Sequence, residues 1–298
     1  MRHSTKVVVQ VVFSAEMKTL SDYKQNALAL LSTIYGARES ANIVNYWIEA
    51  RLGLSRMDQF LKAEEVFLFD SYEADLKELT DRKPIQYVVG HAYFHGLEIG
   101  LNSSTLIPRP ETEELVNEVV KLIDATQAKR IIDLGTGSGC IALAIKSIRP
   151  DVEVVGFDNN SDAIDQARRN AETLGLHVNF IVADLFNYSF DSADIIVSNP
   201  PYIPTSECEN MEEHVIAHEP EGALFVPDEQ PLLFYDAIFA LGKEILSNRV
   251  GWMVFEIHHL FGEEMQQLGI KYCAKEVKLI QDLQGKDRML LARYGRTT

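Results

Sequence analysis

Asn199-Pro200-Pro201-Tyr202 closes an apolar run that begins at Asp194. The two prolines remove two backbone donors and stiffen the turn. What remains is acceptor-rich: the Asn199 side-chain oxygen and the Pro200 carbonyl. A planar NH₂ group could donate one hydrogen bond to each. Tyr202 offers a flat face on which an amide or a base could stack. Amide and aromatic amine nitrogens are poor nucleophiles because their lone pair is delocalised. Holding both hydrogens tilts that lone pair towards an electrophilic methyl group. The remaining work is orientation and electrostatics, worth roughly 7–11 kcal/mol in the best intramolecular cases. No strong general base is needed beforehand, since the nitrogen proton becomes acidic only as the new bond forms. The plainer alternative is a Pro-Pro turn that merely ends a strand.

A second constellation lies upstream. Asp133-Leu134-Gly135-Thr136-Gly137-Ser138-Gly139 follows an apolar strand and opens a helix. The glycines allow a tight turn and close approach of a ligand to the backbone. The helix beyond offers free N–H groups. Asp158 stands 21 residues past Gly137, at the end of the next strand, where it can accept from both hydroxyls of a ribose. A dinucleotide fingerprint would want glycine at position 140, which is Cys140. The arrangement resembles the cofactor loop of class I S-adenosylmethionine-dependent methyltransferases.

Both motifs need a scaffold. From Glu111 onward, helical periodicity and short apolar runs alternate. Strands are expected at Arg130–Leu134, Glu153–Phe157, Val178–Val182, Asp194–Val197 and Trp252–Ile257. Helices are expected at Cys140–Ile148, Ala163–Leu174 and Leu232–Leu246. Such alternation implies an α/β fold, a parallel sheet with helices on both faces, whose ligands bind beyond the strand C-termini. Residues 17–84 instead show helical spacing throughout, as in Ala27, Leu28, Leu31, Ile34 and Ile43, Val44, Trp47, Ile48. They read as a small helical bundle, for packing or for recognising a macromolecule. Residues 85–107, broken by Gly90, Gly96 and Gly100, read as a β-hairpin linker. Residues 108–298 form the α/β domain.

The 298 residues carry 28 basic and 44 acidic side chains, a net charge of −16. That disfavours grip on nucleic-acid phosphates, so no direct nucleic-acid partner is expected. Between Asn199 and Pro231 stand eight acids and no Lys or Arg, which repels phosphates beside the reactive turn and reads equally as the flank of a protein-substrate site or as a solvated loop. Three dispersed cysteines, without C-x-x-C, fit a reducing cytoplasm better than a disulfide framework. No apolar run reaches the roughly 18 residues that a bilayer span needs. Val7–Phe13 resembles a short signal core, but Gln10 interrupts it and Ser14-Ala15-Glu16 is a poor cleavage site. A strand, a frayed tail or a start at Met17 is expected there instead.

More of the chain resembles one family. Leu106-Ile107-Pro108-Arg109-Pro110-Glu111-Thr112-Glu113, Pro84–Gly90 with Tyr93–Gly96, and the ending Asp282–Leu291 are similar to signatures of the HemK/PrmC family. The resemblance spans about Leu20 to Arg293. It implies a Rossmann-like class I methyltransferase domain behind an N-terminal helical substrate-recognition domain. It implies methylation of the glutamine amide in the Gly-Gly-Gln motif of class 1 peptide chain release factors. By the same resemblance Asp133, Leu134, Gly135, Thr136, Gly137, Asp158, Asp184, Leu185 and Asn199 contact S-adenosylmethionine. Asn199, Pro200, Pro201 and Tyr202 hold the glutamine, and Arg109 with Glu111 to Glu113 lines the entrance; the acids read equally as a capped helix start with Glu111 at the dipole's positive end. Some relatives carry tryptophan where this chain has Leu185. A monomer is expected. A ribosomal-protein glutamine methyltransferase and a nucleic-acid adenine or guanine amino-methyltransferase are the alternatives with the same site chemistry.

Other features carry less. His214 and His218 share a helical face, but Val215 stands where a zinc peptidase would place glutamate, so no metal is expected. His258 and His259, after a strand, are expected to point opposite ways and to be loop histidines. Cys140 has no evident base and reads as a small buried hydrophobe.

Overall fold

The computed structural model describes residues 17–246, 250–282 and 285–295. The expectation for residues 1–16 lies outside the described residues. The chain divides into two compact units at Val89/Gly90.

In the first unit, Lys18–Thr19 (β1) pairs antiparallel with Val66–Phe67 (β2). Leu20–Tyr35 (α1) starts on a capping box: Thr19 Oγ1 accepts the Asp22 N–H while Asp22 bonds back to Thr19. Its buried residues Leu20, Tyr23, Ala27 and Leu31 fall on one face. Ala37–Leu52 (α2), Arg56–Leu61 (α3), Tyr72–Thr80 (α4) and Ile85–Val89 (α5) complete the unit. Trp47 stacks on Tyr72 with centroids 5.0 Å apart, and its indole N–H donates to Asp75 at 2.8 Å. Arg51 also pairs with Asp75, at 2.7 Å.

Residues 85–89 differ from the hairpin expected over 85–107. Tyr87 and Val88 donate their N–H groups to the Pro84 carbonyl, which starts a helical turn. Arg51 then binds the Val88 carbonyl at 2.7 Å, and Val88 and Val89 bury in the helical core. Two β-branched residues in a row favoured a strand, but this packing outweighs that propensity. The hairpin begins only at His91–Phe94 (β3) and returns through Leu97–Gly100 (β4).

In the second unit Thr112–Thr126 (α6) precedes the sheet. Its elements are Arg130–Leu134 (β5), Cys140–Ile148 (α7), Glu153–Asp158 (β6), Ser161–Leu174 (α8), Asn179–Val182 (β7) and Ile195–Ser198 (β8). A two-residue strand Ile203–Pro204 (β9), a 3₁₀ turn Thr205–Asn210, Glu213–His218 (α9), Glu221–Leu224 (α10) and Phe225–Val226 (β10) follow. Leu233–Ile245 (α11), Gly251–Glu256 (β11), Gly262–Lys271 (α12), Glu276–Gln281 (β12) and Asp287–Tyr294 (β13) close the chain. The seven-stranded sheet runs β12-β13-β11-β8-β5-β6-β7. Its strands are parallel except β13, which lies antiparallel to both β11 and β12. This is the α/β fold expected from the alternation, in the Rossmann-like form that the resemblance implies. The order reverses between β5 and β8, which pair in parallel. A crevice must open there, because the segments after the two strands leave in opposite directions.

Asn170 on α8 anchors the hairpin to this unit. Its side chain bonds the Gly100 N–H at 3.0 Å, the Gly100 carbonyl at 2.9 Å and the Ser138 carbonyl at 2.9 Å. One amide thus joins the hairpin to the glycine loop.

Candidate active site

A cavity of about 260 Å³ sits over the C-terminal ends of β5, β6, β7 and β8. Leu134, Asp158, Ala183 and Ser198, at or just past those ends, all line it. The glycine loop forms one wall. Gly137 has φ +55°, a left-handed conformation that a side chain would strain. Its N–H donates to Asp158 Oδ2 at 2.9 Å, and Asn160 donates its N–H to Asp158 Oδ1 at 3.0 Å. Gly139 is needed for space: a Cβ there would come within 2.8 Å of the Phe180 ring. Asp158 is thus oriented by backbone donors, and it lines the cavity as an acceptor. Burial raises its pKa, opposed by the N–H groups of Asn160 and Gly137.

Asn199, Pro200 and Pro201 form the opposite lip. Leu185, Phe186, Phe190 and Phe234 supply apolar walls, with Phe186 and Phe234 centroids 5.9 Å apart. Gly135, Asp184 and Leu106 also face the cavity. No Lys or Arg lines it among the described residues, while two carboxylates, Asp158 and Asp184, do. Such a lining suits a ligand with a diol, a flat ring and positive charge. It opposes a pyrophosphate, which the dinucleotide alternative would bring.

Of the residues singled out from sequence, Leu134, Gly135, Gly137, Asp158, Asp184, Leu185, Asn199, Pro200 and Pro201 meet at this cavity. Asp133, Thr136, Tyr202 and Arg109 do not line it. Asp133 lies buried behind the loop, where its Oδ2 accepts the Thr136 hydroxyl proton. Burial raises its pKa to about 7. Tyr202 turns its hydroxyl inward to Glu256 Oε1 at 3.1 Å. Arg109 is held by Glu219 Oε1 at 2.6 Å, and Glu219 is almost wholly buried. The acidic segment is therefore not one uniform flank. Glu219 pairs with Arg109, and Glu207 lies 3.3 Å from His258 Nε2. His258 and His259 are loop histidines as expected, since β11 already ends at Glu256, but they do not point opposite ways: their ring centroids are 4.8 Å apart. Burial, and then the Asp133 charge, pushes the Cys140 thiol up to about 12, too high for a nucleophile near neutrality.

Sequence reading missed Glu256, the part that Thr112 plays behind Asn199, and the Phe190 and Phe234 walls. Thr112 Oγ1 donates to Glu256 Oε2 at 2.7 Å, and Asn199 Nδ2 lies 3.4 Å from Thr112 Oγ1. An acid ending an apolar parallel strand was the available signal, since such ends face the ligand edge.

The model of a family described as the methyltransferase small domain matches residues 113–224. A release factor glutamine methyltransferase of Bacteroides thetaiotaomicron is 40% identical over 81% of this chain and 88% of its own length. Another, from Flavobacterium psychrophilum, is 36% identical over 92% of this chain and 99% of its own. Among solved structures, the hMettl16 catalytic domain in complex with the MAT2A 3′UTR hairpin 6 superposes with a TM-score of 0.55 and 17% identity. It covers 79% of this chain and 86% of that one. That likeness shows the methyltransferase fold alone.

Proposed function

This chain belongs to the release factor glutamine methyltransferases, and from that premise we propose that it methylates the glutamine amide of the Gly-Gly-Gln motif in class 1 release factors. S-adenosylmethionine supplies the electrophilic methyl group, carried on a sulfonium. Asp158 accepts from the ribose hydroxyls, with the glycine loop closing over the same side. Leu185, Phe186 and Asp184 flank the adenine. Asn199 Oδ1 and the Pro200 carbonyl accept the two amide hydrogens of the substrate glutamine. With both hydrogens held, the lone pair points across the cavity. Pro201 keeps the turn rigid, and the apolar walls exclude water from the reacting atoms. The enzyme works in the cytoplasm, on a release factor, as a monomer.

One observation carries this reading. Asn199-Pro200 and the Asp158–Gly137 pair line a single cavity that holds two carboxylates and no basic side chain among the described residues. A cationic methyl donor and a neutral amide fit it, and a phosphate-bearing ligand does not.

The test is incubation with isotopically labelled S-adenosylmethionine and a purified class 1 release factor, followed by mass spectrometry of the labelled peptide. Label on the Gly-Gly-Gln glutamine supports the reading. Label on ribosomal proteins offered in a parallel incubation, with none on the release factor, overturns it.

A further inference from the structure

The hydrogen bonds behind Asn199 run in one direction. Thr112, the first residue of α6, and Glu256, the last residue of β11, are both buried. The Thr112 hydroxyl lies 2.7 Å from Glu256 Oε2, and the Tyr202 hydroxyl lies 3.1 Å from Glu256 Oε1. Burial raises the Glu256 pKa, while the Thr112 and Tyr202 hydroxyls and the charge of Arg288 favour its ionised form; as a carboxylate it only accepts, so both hydroxyls donate to it. Thr112 has a single proton and has spent it. Its oxygen can then only accept from Asn199, which stands 3.4 Å away and must present Nδ2–H. The other end of the amide, Oδ1, is left for the cavity that Asn199 lines.

We propose that Glu256 and Thr112 are positioning residues that fix which way the Asn199 amide faces, turning its oxygen to the substrate. Without them the amide can rotate by half a turn and offer a donor to a substrate NH₂ that has only donors to give. Glu256 sets the polarity, and Thr112 relays it. Tyr202 completes the carboxylate's partners from the reactive turn itself. The Tyr235 hydroxyl, donating to the Glu256 main-chain carbonyl at 2.9 Å, holds the strand end in place. This inference rests on the glutamine-methylating reading for its consequence, but the amide orientation has a readout of its own.

Two substitutions at Thr112 separate polarity from packing. Thr112→Val keeps the shape and removes the hydroxyl, and Thr112→Ser keeps the hydroxyl. On a release factor, Thr112→Val should lower single-turnover methylation by about 10- to 100-fold, the scale of a misoriented reacting group. Cofactor affinity should stay within about twofold, and Thr112→Ser should recover most of the rate. Glu256→Gln, which can donate as well as accept, should slow the reaction in the same way. A full rate in Thr112→Val, or equal loss in Thr112→Val and Thr112→Ser, overturns the proposal. A substrate-free measurement stands beside it: exchange of the Asn199 side-chain amide protons, followed by NMR. Exchange slowed in the parent and in Thr112→Ser, and fast in Thr112→Val, supports the relay whatever the methyl acceptor proves to be. Equal exchange in all three overturns it. An unlabelled release factor with the parent enzyme would instead count against the substrate reading alone.

Discussion

Gly137 and Asp158 act as one device: the Gly137 N–H points at Asp158 Oδ2 from 2.9 Å, tying the glycine loop to the end of the neighbouring strand. Asp158→Ala therefore removes the proposed ribose acceptor and frees the loop together. Cofactor affinity should fall by about 1–3 kcal/mol, the scale of a charged hydrogen bond. Titration calorimetry with S-adenosylmethionine checks this, and unchanged affinity would put the ribose elsewhere.

Asn199 is held from behind and open in front. Asn199→Ala should leave cofactor affinity within about 1 kcal/mol. Methyl transfer should slow by roughly two orders of magnitude or more, as when one positioned polar group leaves a catalytic site. Single-turnover methylation with cofactor saturating is the measurement. A near-normal rate would reduce the Asn-Pro-Pro-Tyr motif to a rigid turn.

Asp133 gives the stability a pH dependence of known sign. Its folded pKa of about 7 stands above the ordinary 3.8 because of burial. Between those values the folded state holds a proton that the unfolded chain has released. Stability from this group is therefore lost as pH rises from about 4 to 7, by roughly 4 kcal/mol at most. Asp133→Asn carries no charge, so its denaturation midpoint should gain on the parent's across that range. Parallel pH curves for the two proteins would show that the buried carboxyl carries no such penalty.

Arg109 and Glu219, 110 residues apart, join the Leu106–Glu113 run to the acidic segment. Glu219 also lies 3.4 Å from the Ile107 N–H. Glu219→Gln should cost about 1–3 kcal/mol in chemical denaturation, less than a fully buried pair because Arg109 is partly exposed. Loss of activity without loss of stability would instead give Arg109 a direct role at the substrate.

Truncation should depend on where the cut falls. A chain beginning at Gly90 retains the hairpin, with Phe94 and Ile99 wholly buried and Gly100 bonded to Asn170. It should bind the cofactor nearly as well as the full chain while losing much activity on an intact release factor. A chain beginning at Leu106 should be less stable by a few kcal/mol, since burial of each large apolar side chain is worth about 1.5–3. Thermal denaturation and calorimetry distinguish the two. Full activity of the Gly90 chain on the folded factor would leave residues 17–84 a packing role.

The sequence by itself determined the glycine loop, the acid after the next strand and the Asn-Pro-Pro-Tyr turn. These signals are local. Glycine and proline act on their own backbone, wherever in the fold that backbone lands. The alternation of strands and helices also determined that both motifs end at one edge of a parallel sheet. The tertiary structure decided what lies behind and between them. Thr112 and Asn199 are 87 residues apart, and Thr112 and Glu256 are 144. Such pairs form only once β8 and β11 are neighbours, a choice made by the whole sheet. The same holds for the helical turn at Ile85–Val89 and for β13, which enters between β11 and β12. A short apolar run can serve as helix or strand, and its partners supply the free energy that selects one.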